Sequence, residues 1–252
     1  EVHLNPLRDH DGGLQVTGVA VDVTERERST SSLRASHALL DAISRTQTLY
    51  ITSADPQVVF DGMLSALLTM TESEYGFIGE VLRENDGTPY LKTQAISNVA
   101  WDEASRAVYA ANAPAAMEFR KLDTLFGAVM TTERPVLAND PANDPRGAGV
   151  PPGHPALDAF MGLPLFRGNE LVGMVGVANR KAGYDEEMVA RLQPFLQTCA
   201  SVTQAMQEAQ QRRLFSDALR ESEARLRTAI ESIPFDFFLI DGNGRYVPVS
   251  YT

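Results

Sequence analysis

Apolar and polar positions alternate along this chain in two rhythms. Short, nearly continuous apolar runs broken by Gly, Asn and Asp read as strands, and stripes at three- and four-residue steps read as helices. The clearest run of the first kind is residues 160–187, FMGLPLFRGNELVGMVGVANRKAGYDEE. Leu163, Leu165 and Phe166 lead into Arg167-Gly168-Asn169, a hairpin turn, and residues 171–178 return as a second apolar run. Gly173 and Gly176 place no side chain where a packed helix or a ligand must come close. The segment closes on Asn179-Arg180, Gly183 and the acidic run Asp185-Glu186-Glu187, which suits a helix start.

Upstream, residues 75–82 and 90–97 read as two strands around the turn Glu84-Asn85-Asp86-Gly87, and residues 135–138 as a short third strand. A helix is expected over 25–50, with Leu33, Leu40, Ile43 and Tyr50 on one face. A second is expected over 58–70, with Val59, Met63, Leu67 and Met70 in register, opened by Asp55 as N-cap and Pro56 at the first position. Residues 101–111 read as a short helix, 114–117 as a short turn, and 124–131 as helical or irregular. Residues 139–155, NDPANDPRGAGVPPGHP, must be a loop. Loops of that length in a compact domain are usually functional or disordered.

From Asp185 to about Ser232 one long helix is expected. Met188, Leu192, Phe195, Cys199, Val202 and Met206 form its core stripe, with Pro194 in a position to kink it. Beyond the polar stretch 207–213, Phe215, Leu219, Leu226, Ala229 and Ile233 fit a heptad with Ser222 in the gap. At the chain's two ends, residues 16–23 follow the turn Asp11-Gly12-Gly13 as a strand-like run, and residues 235–240 and 246–249 form a hairpin around Asp241-Gly242-Asn243-Gly244. The elements sum to an α+β class: an antiparallel sheet of five to six strands. Helices lie on one face, the excursion 101–155 of loops and short helices covers the other, and long helices flank the whole.

Composition narrows the function. The 252 residues suffice for one domain with attachments or for two small domains. Hydrophobic content of 44% and charged content of 22% are ordinary for a globular protein. A net charge of -11 argues against nucleic acid or an anionic membrane as partner. No apolar run approaches the ~20 residues that cross a bilayer, and no secretory signal is present, so a cytoplasmic location is expected. The single cysteine, Cys199, excludes an internal disulfide and a cysteine-rich metal site. Opening on Glu1 and ending at Thr252 just past a strand-like run, the chain reads as a piece excised from a longer protein.

The 160–187 stretch, with GHPALDAFMGLPL leading into it, resembles a GAF domain, and the resemblance covers roughly residues 35–207. Residues 1–24 resemble the end of a PAS domain through Gly18, Val19, Asp22, Val23, Thr24 and, just beyond, Glu25, a strand closing on an Asp or Thr N-cap. SEARLRTAIESIPFDFFLIDGNGRYV resembles the opening helix and first hairpin of a second PAS domain. The implied order is a PAS end at 1–24, a connector helix at 25–50, the GAF domain at 35–207, a signalling helix at 208–233 and a PAS start at 234–252. The resemblance implies a sensory input segment of a cytoplasmic bacterial signalling protein. A sensor histidine kinase is the expected parent, and a diguanylate cyclase or phosphodiesterase the runner-up. Such a segment binds a small molecule or only mediates dimerisation, as a homodimer through its flanking helices, and is not itself an enzyme.

Candidate site residues follow from both readings. No phosphate-binding glycine loop is present: Gly12-Gly13 and Gly147/Gly149 lack the following Lys and helix. His3, His10, His37 and His154 are scattered, without a phosphoacceptor pattern. His154 is either a turn residue or a pocket-lid residue that hydrogen-bonds a ligand. Bilin-binding GAF domains carry a Cys-His pair, and Gly153 before His154 excludes a covalent bilin there. Cys199, on the core stripe, reads as a small apolar filler. Asn139, Asp140, Asn143, Asp144 and Arg146 are either turn chemistry or a polar cap over a pocket, with Arg146, the loop's only cation, suited to an anionic group. The spacing does not match an EF-hand, and no metal site is expected. Asn179-Arg180 and Tyr184-Asp185-Glu186 are similar to the Asn-Lys…Phe…Asp-Glu signature of cyclic-nucleotide-binding GAF domains, with Arg180 for the Lys, Tyr184 for the Phe and the acidic pair following at once. The preferred reading is a structural clamp of Asn179, Arg180 and Asp185, in which Arg180 pairs with Asp185 or Glu186 for little over ~1 kcal/mol. Phe77, Trp101, Phe119, Phe126 and Phe160 are the apolar pocket candidates on the covered face. The ligand or cofactor itself is not specified by these residues.

Overall fold

Pro56 opens a helix and Glu72 closes it in the left-handed conformation, which sets the first boundary of the central domain. The computed structural model describes residues 2–8, 14–20, 24–53, 55–97, 117–147, 156–232, 239–240 and 242–247. Over these residues the order is β1 (Val2–Arg8), β2 (Leu14–Ala20), α1 (Thr24–Thr52), α2 (Pro56–Thr71), β3 (Tyr75–Arg83), β4 (Pro89–Ile96), β5 (Glu118–Phe119), α3 (Leu125–Thr132), β6 (Val136–Ala138), β7 (Phe160–Arg167), β8 (Glu170–Ala178), α4 (Glu186–Glu231), β9 (Leu239–Ile240) and β10 (Tyr246–Val247). The chain divides into two compact units, Glu1–Gln204 and Ala205–Thr252.

The first unit is built on a six-stranded antiparallel sheet in the order β5-β4-β3-β8-β7-β6. Side chains alternate between its two faces. On one face, Val81, Leu91, Phe160 and Met174 are buried with Val129 and Met130 of α3. The alternate positions Ile78, Leu163 and Val175 point to the other face and are fully buried. There α2 packs on β3, β4 and β8, burying Val59, Met63 and Leu67 as its periodicity requires. The expected N-cap is formed: Asp55 accepts a hydrogen bond from the Gln57 amide at 2.9 Å. The stripe Met188, Leu192, Phe195, Cys199 and Val202 of α4 is buried as well, and α4 lies beside α1 across a groove lined by Tyr50, Pro194 and Val202.

The structure sharpens two expectations and corrects a third. Residues just past the expected turn at 114–117 form β5, a two-residue edge strand pairing Phe119 with Leu91, too short to announce itself by alternation. Residues 124–131, expected as helical or irregular, take the helical option as α3, because Thr124 caps it, accepting from the Gly127 amide at 3.0 Å. The face of α1 that packs inward carries Ala42 and Thr46, with Leu49 against Gly62 of α2. Leu33 and Leu40 of the expected stripe are 61% and 63% exposed. The expected short helix at 101–111 lies outside the described residues.

In the second unit, the rest of α4 leaves Leu214, Phe215, Leu219 and Leu226 exposed, and β9 and β10 form the expected antiparallel hairpin. The N-terminal strands β1 and β2 pair from Val2↔Ala20 to Arg8↔Leu14.

Candidate functional site

On the α3-facing side of the sheet, Gly162 of β7 lies directly opposite Gly176 of β8. The two bare positions make a floor that neighbouring rings occupy. A Cβ on Gly176 would come within 2.5 Å of the Phe77 ring and 3.1 Å of the Phe160 ring, and one on Gly162 within 2.9 Å of Phe160. The close approach expected at Gly176 from a packed helix or a ligand is made instead by aromatic side chains of neighbouring strands. At Gly173, on the opposite face, the close neighbours are the Gly79 carbonyl and the Leu165 side chain.

Phe119, brought in by the edge strand β5, lies 6.3 Å from Phe77 by ring centroids. It meets Phe126 of α3 edge-on at 5.3 Å, a favourable geometry for aromatic quadrupoles. Four of the five aromatic candidates thus gather in one apolar cluster. Phe160 is buried, while Phe77, Phe119 and Phe126 are half-buried. Trp101 and His154 lie outside the described residues.

The polar candidates have a different setting. Asp140 is exposed and accepts a hydrogen bond from Asn143 Nδ2 at 2.8 Å. The Arg146 guanidinium forks onto Asp144, with Nε–H donating to Oδ1 at 2.9 Å and Nη2 to Oδ2 at 2.6 Å. It also donates to the Leu137 carbonyl of β6 at 2.9 Å. These hydrogen bonds hold the Asp144 carboxyl below the usual carboxylate range. Arg146 borders an open surface hollow of about 410 Å³ with Arg134, Thr132 and Pro135. Its fork is therefore occupied by Asp144, and its third bond covers an edge carbonyl of β6.

The turn from β8 into α4 is the most densely hydrogen-bonded part of the region. Asn179 sits in the left-handed conformation at φ 62° and is buried. Its Oδ1 accepts from the Asp158 amide at 2.9 Å, and its Nδ2 donates to the Ala156 carbonyl at 3.0 Å and to Glu74 Oε2 at 3.3 Å. The Tyr75 hydroxyl donates to the same Ala156 carbonyl at 2.9 Å. Burial, with Asp158 and Glu74 nearby, pushes the Tyr75 phenol up to about 12.

Tyr184 is buried, and burial raises its phenol too. Its hydroxyl shares a 2.7 Å hydrogen bond with Ser73 Oγ, which shares another of 2.7 Å with Thr71 Oγ1. Thr71 in turn donates to the Leu67 carbonyl.

The clamp expected between Arg180 and Asp185 or Glu186 is not an ion pair. Asp185 Oδ1 instead accepts from the Met188 amide at 2.8 Å, capping α4. Arg180 Nη1 donates to the Gly183 carbonyl at 2.7 Å. A carboxylate at a helix N-terminus finds the free backbone amides close at hand, and Arg180 folds back on its own turn. The residue that grips the helix start from outside is Asn139. Its Nδ2 donates to the Tyr184 carbonyl at 2.9 Å and its Oδ1 accepts from the Tyr184 amide at 2.8 Å. Sequence reasoning placed Asn139 only in a turn or a polar cap. Gly183, at φ 70°, lies so close that a Cβ there would be 2.8 Å from Asn139 Oδ1.

Cys199 is fully buried, and burial pushes its thiol well up. Among the described residues, no cluster of His, Cys, Asp and Glu is placed to hold a metal ion, and no helix is long and apolar enough to cross a membrane.

A family model described as a GAF domain matches residues 53–204. The methyl sulfide methyltransferase-associated sensor of Methanosarcina acetivorans is 25% identical over 225 residues, which take in 87% of this chain and 21% of that protein. The chain thus spans a small part of that relative's length. Among solved structures, the GAF domain of a phosphoenolpyruvate-protein phosphotransferase from Coxiella burnetii aligns with TM-score 0.53 at 13% identity, covering 70% of this chain and 96% of that one. The corresponding Acinetobacter GAF domain aligns with TM-score 0.51 at 14% identity, covering 69% and 97%. At those identities the likeness is one of fold. Since the family model takes in more than half of the chain, the chain belongs to the GAF-domain family.

Proposed function

We propose that this chain is a sensory input segment of a cytoplasmic signal-transduction protein, and that it dimerises through its flanking helices. A small molecule bound on the α3-facing side of the sheet biases two arrangements of those helices, and they carry the difference to an output domain. One observation carries this reading. The helices on both sides of the GAF domain hold apolar residues that the chain itself leaves uncovered: Leu33 and Leu40 on α1, Phe215, Leu219 and Leu226 on α4. The similarity to a relative named as a sensor supports it, because that similarity runs over 225 residues and so beyond the family match at 53–204.

On this reading, the half-buried rings of Phe77, Phe119 and Phe126, with Phe160, form the apolar part of the ligand site. Asp140 and Arg146 belong to its loop side. The strands at 2–20 and the hairpin at 239–247 are the end of one PAS domain and the start of another. A sensor histidine kinase is the parent that best fits this order, ahead of a diguanylate cyclase or phosphodiesterase. The segment itself acts without catalysis: Cys199, fully buried with a raised thiol, is unsuited to act as a nucleophile.

Native mass spectrometry of the purified chain, with an absorbance spectrum of the same sample, tests the ligand. A stoichiometric added mass or a visible band is the expected result. A bare mass, together with no thermal shift across a panel of metabolites, overturns ligand sensing and leaves a structural dimerisation module.

A further inference from the structure

The loop between β6 and β7 is held at both of its ends by the turn that leads from β8 into α4. At its first residue, Asn139 bonds both backbone groups of Tyr184, much as a neighbouring strand would. At its far end, the Asp158 amide and the Ala156 carbonyl are held by Asn179. Asn179 and Tyr184 bracket the short turn that leads into the helix, and Asp185 then caps it. Tyr184 is also fixed from below, because its hydroxyl is linked through Ser73 and Thr71 to the end of α2. Its backbone therefore follows the loop while its ring is held by α2.

The first part of the loop is hydrogen-bonded on itself. The Asn143 amide donates to the Asp140 carbonyl and the Gly147 amide to the Asp144 carbonyl. The Asp144–Arg146 fork ties this double turn to the Leu137 carbonyl of β6.

We propose that Asn139 and Asn179 are positioning residues that key this loop to the first turn of α4, so that loop position and helix seating change together. The proposal rests on the sensory reading above only for its purpose. The mechanical coupling stands on the hydrogen bonds alone, and its test needs no ligand.

The test is a double-mutant cycle read by amide hydrogen exchange in the full chain. The reporters are Met188 and Val189, whose amides bond to Asp185 and to neither asparagine. Arg146→Ala frees the double turn from β6 and is expected to speed exchange at both reporters about 5-fold or more, the lower end of ordinary inter-site coupling. In the Asn139→Ala background, the same Arg146→Ala change is expected to add nothing further. Asn139→Asp keeps the acceptor for the Tyr184 amide and should restore part of the protection. Amides of the central strands, such as those of Ile78 and Leu163, report that the fold is intact.

Asn139 is exposed, which favours a folded variant. Asn179→Gly gives a second route, because glycine accepts the left-handed backbone while losing the bonds to Asp158 and Ala156. It should loosen the Asp158 amide and the reporters together. The proposal is overturned if Arg146→Ala leaves Met188 and Val189 unchanged, or speeds them equally with and without Asn139. Neither result alters the mass-spectrometric test of ligand binding, so the two ideas fail separately.

Discussion

Gly176 and the Phe77 ring compete for one volume. With a Cβ at Gly176 falling 2.5 Å from that ring, Gly176→Ala forces the ring outward. Overpacking of this kind costs about 1–3 kcal/mol, and urea unfolding should show a loss of that size. In a Phe77→Leu background the smaller side chain leaves room, so the same Gly176→Ala change should cost clearly less. Equal costs in both backgrounds would place the strain elsewhere. This pair also shows what single residues reveal in advance. A glycine in an apolar strand announces a close approach, and aromatic residues in neighbouring strands are natural occupants. Asn139 could not be read the same way. Its neighbours Asp140, Pro141 and Asn143 have turn composition, and its partner Tyr184 is 45 positions away in sequence. Arg180 and Asp185 mislead for the converse reason. Opposite charges near in sequence suggest a pair, but the free amide of Met188 and the carbonyl of Gly183 lie closer to hand.

At the level of elements, periodicity identified which face of a helix is apolar without saying what covers it. The stripe from Met188 to Val202 is covered by the first unit's own core. The stripe from Phe215 to Leu226 has the same spacing quality and stays exposed, with Phe215 at 74%. In α1 the apolar spacing points to the wrong inward face: Ala42 and Thr46 are buried, Leu49 lies against Gly62 of α2, and Leu33 and Leu40 stay exposed. An uncovered heptad seam is stabilised by a second helix of the same kind. Leu226→Asp puts a charge at the centre of that seam. Light scattering should show the mass of the chain falling from dimer to monomer, and an unchanged dimer mass would reject the α4 seam as the contact. The sheet edges follow another rule. β5 and β6 are only two and three residues long, and Arg146 occupies the Leu137 carbonyl on β6. Short, capped edges discourage strand addition, which is consistent with the proposed association through the helices.

For the whole chain, the two units differ in where their stability comes from. Glu1–Gln204 buries its core within itself, from Val59 in α2 to Val202 in α4. In Ala205–Thr252 no described side chain is fully buried. A helix without an apolar face covered by tertiary packing is marginal in water, and one completed by a partner gains stability with protein concentration by mass action. Thermal unfolding followed by far-ultraviolet circular dichroism should therefore occur in two steps. The step belonging to the first unit should keep its midpoint when the protein is diluted, because its core is intramolecular. The step belonging to the helical second unit should move to lower temperature on dilution, and Leu226→Asp should move it further while leaving the first step in place. A single cooperative transition, insensitive to dilution, would mean that the second unit draws its order from the first and not from a second copy. The flanking helix would then be a rigid extension of the GAF domain, and no dimer would be needed to carry its signal.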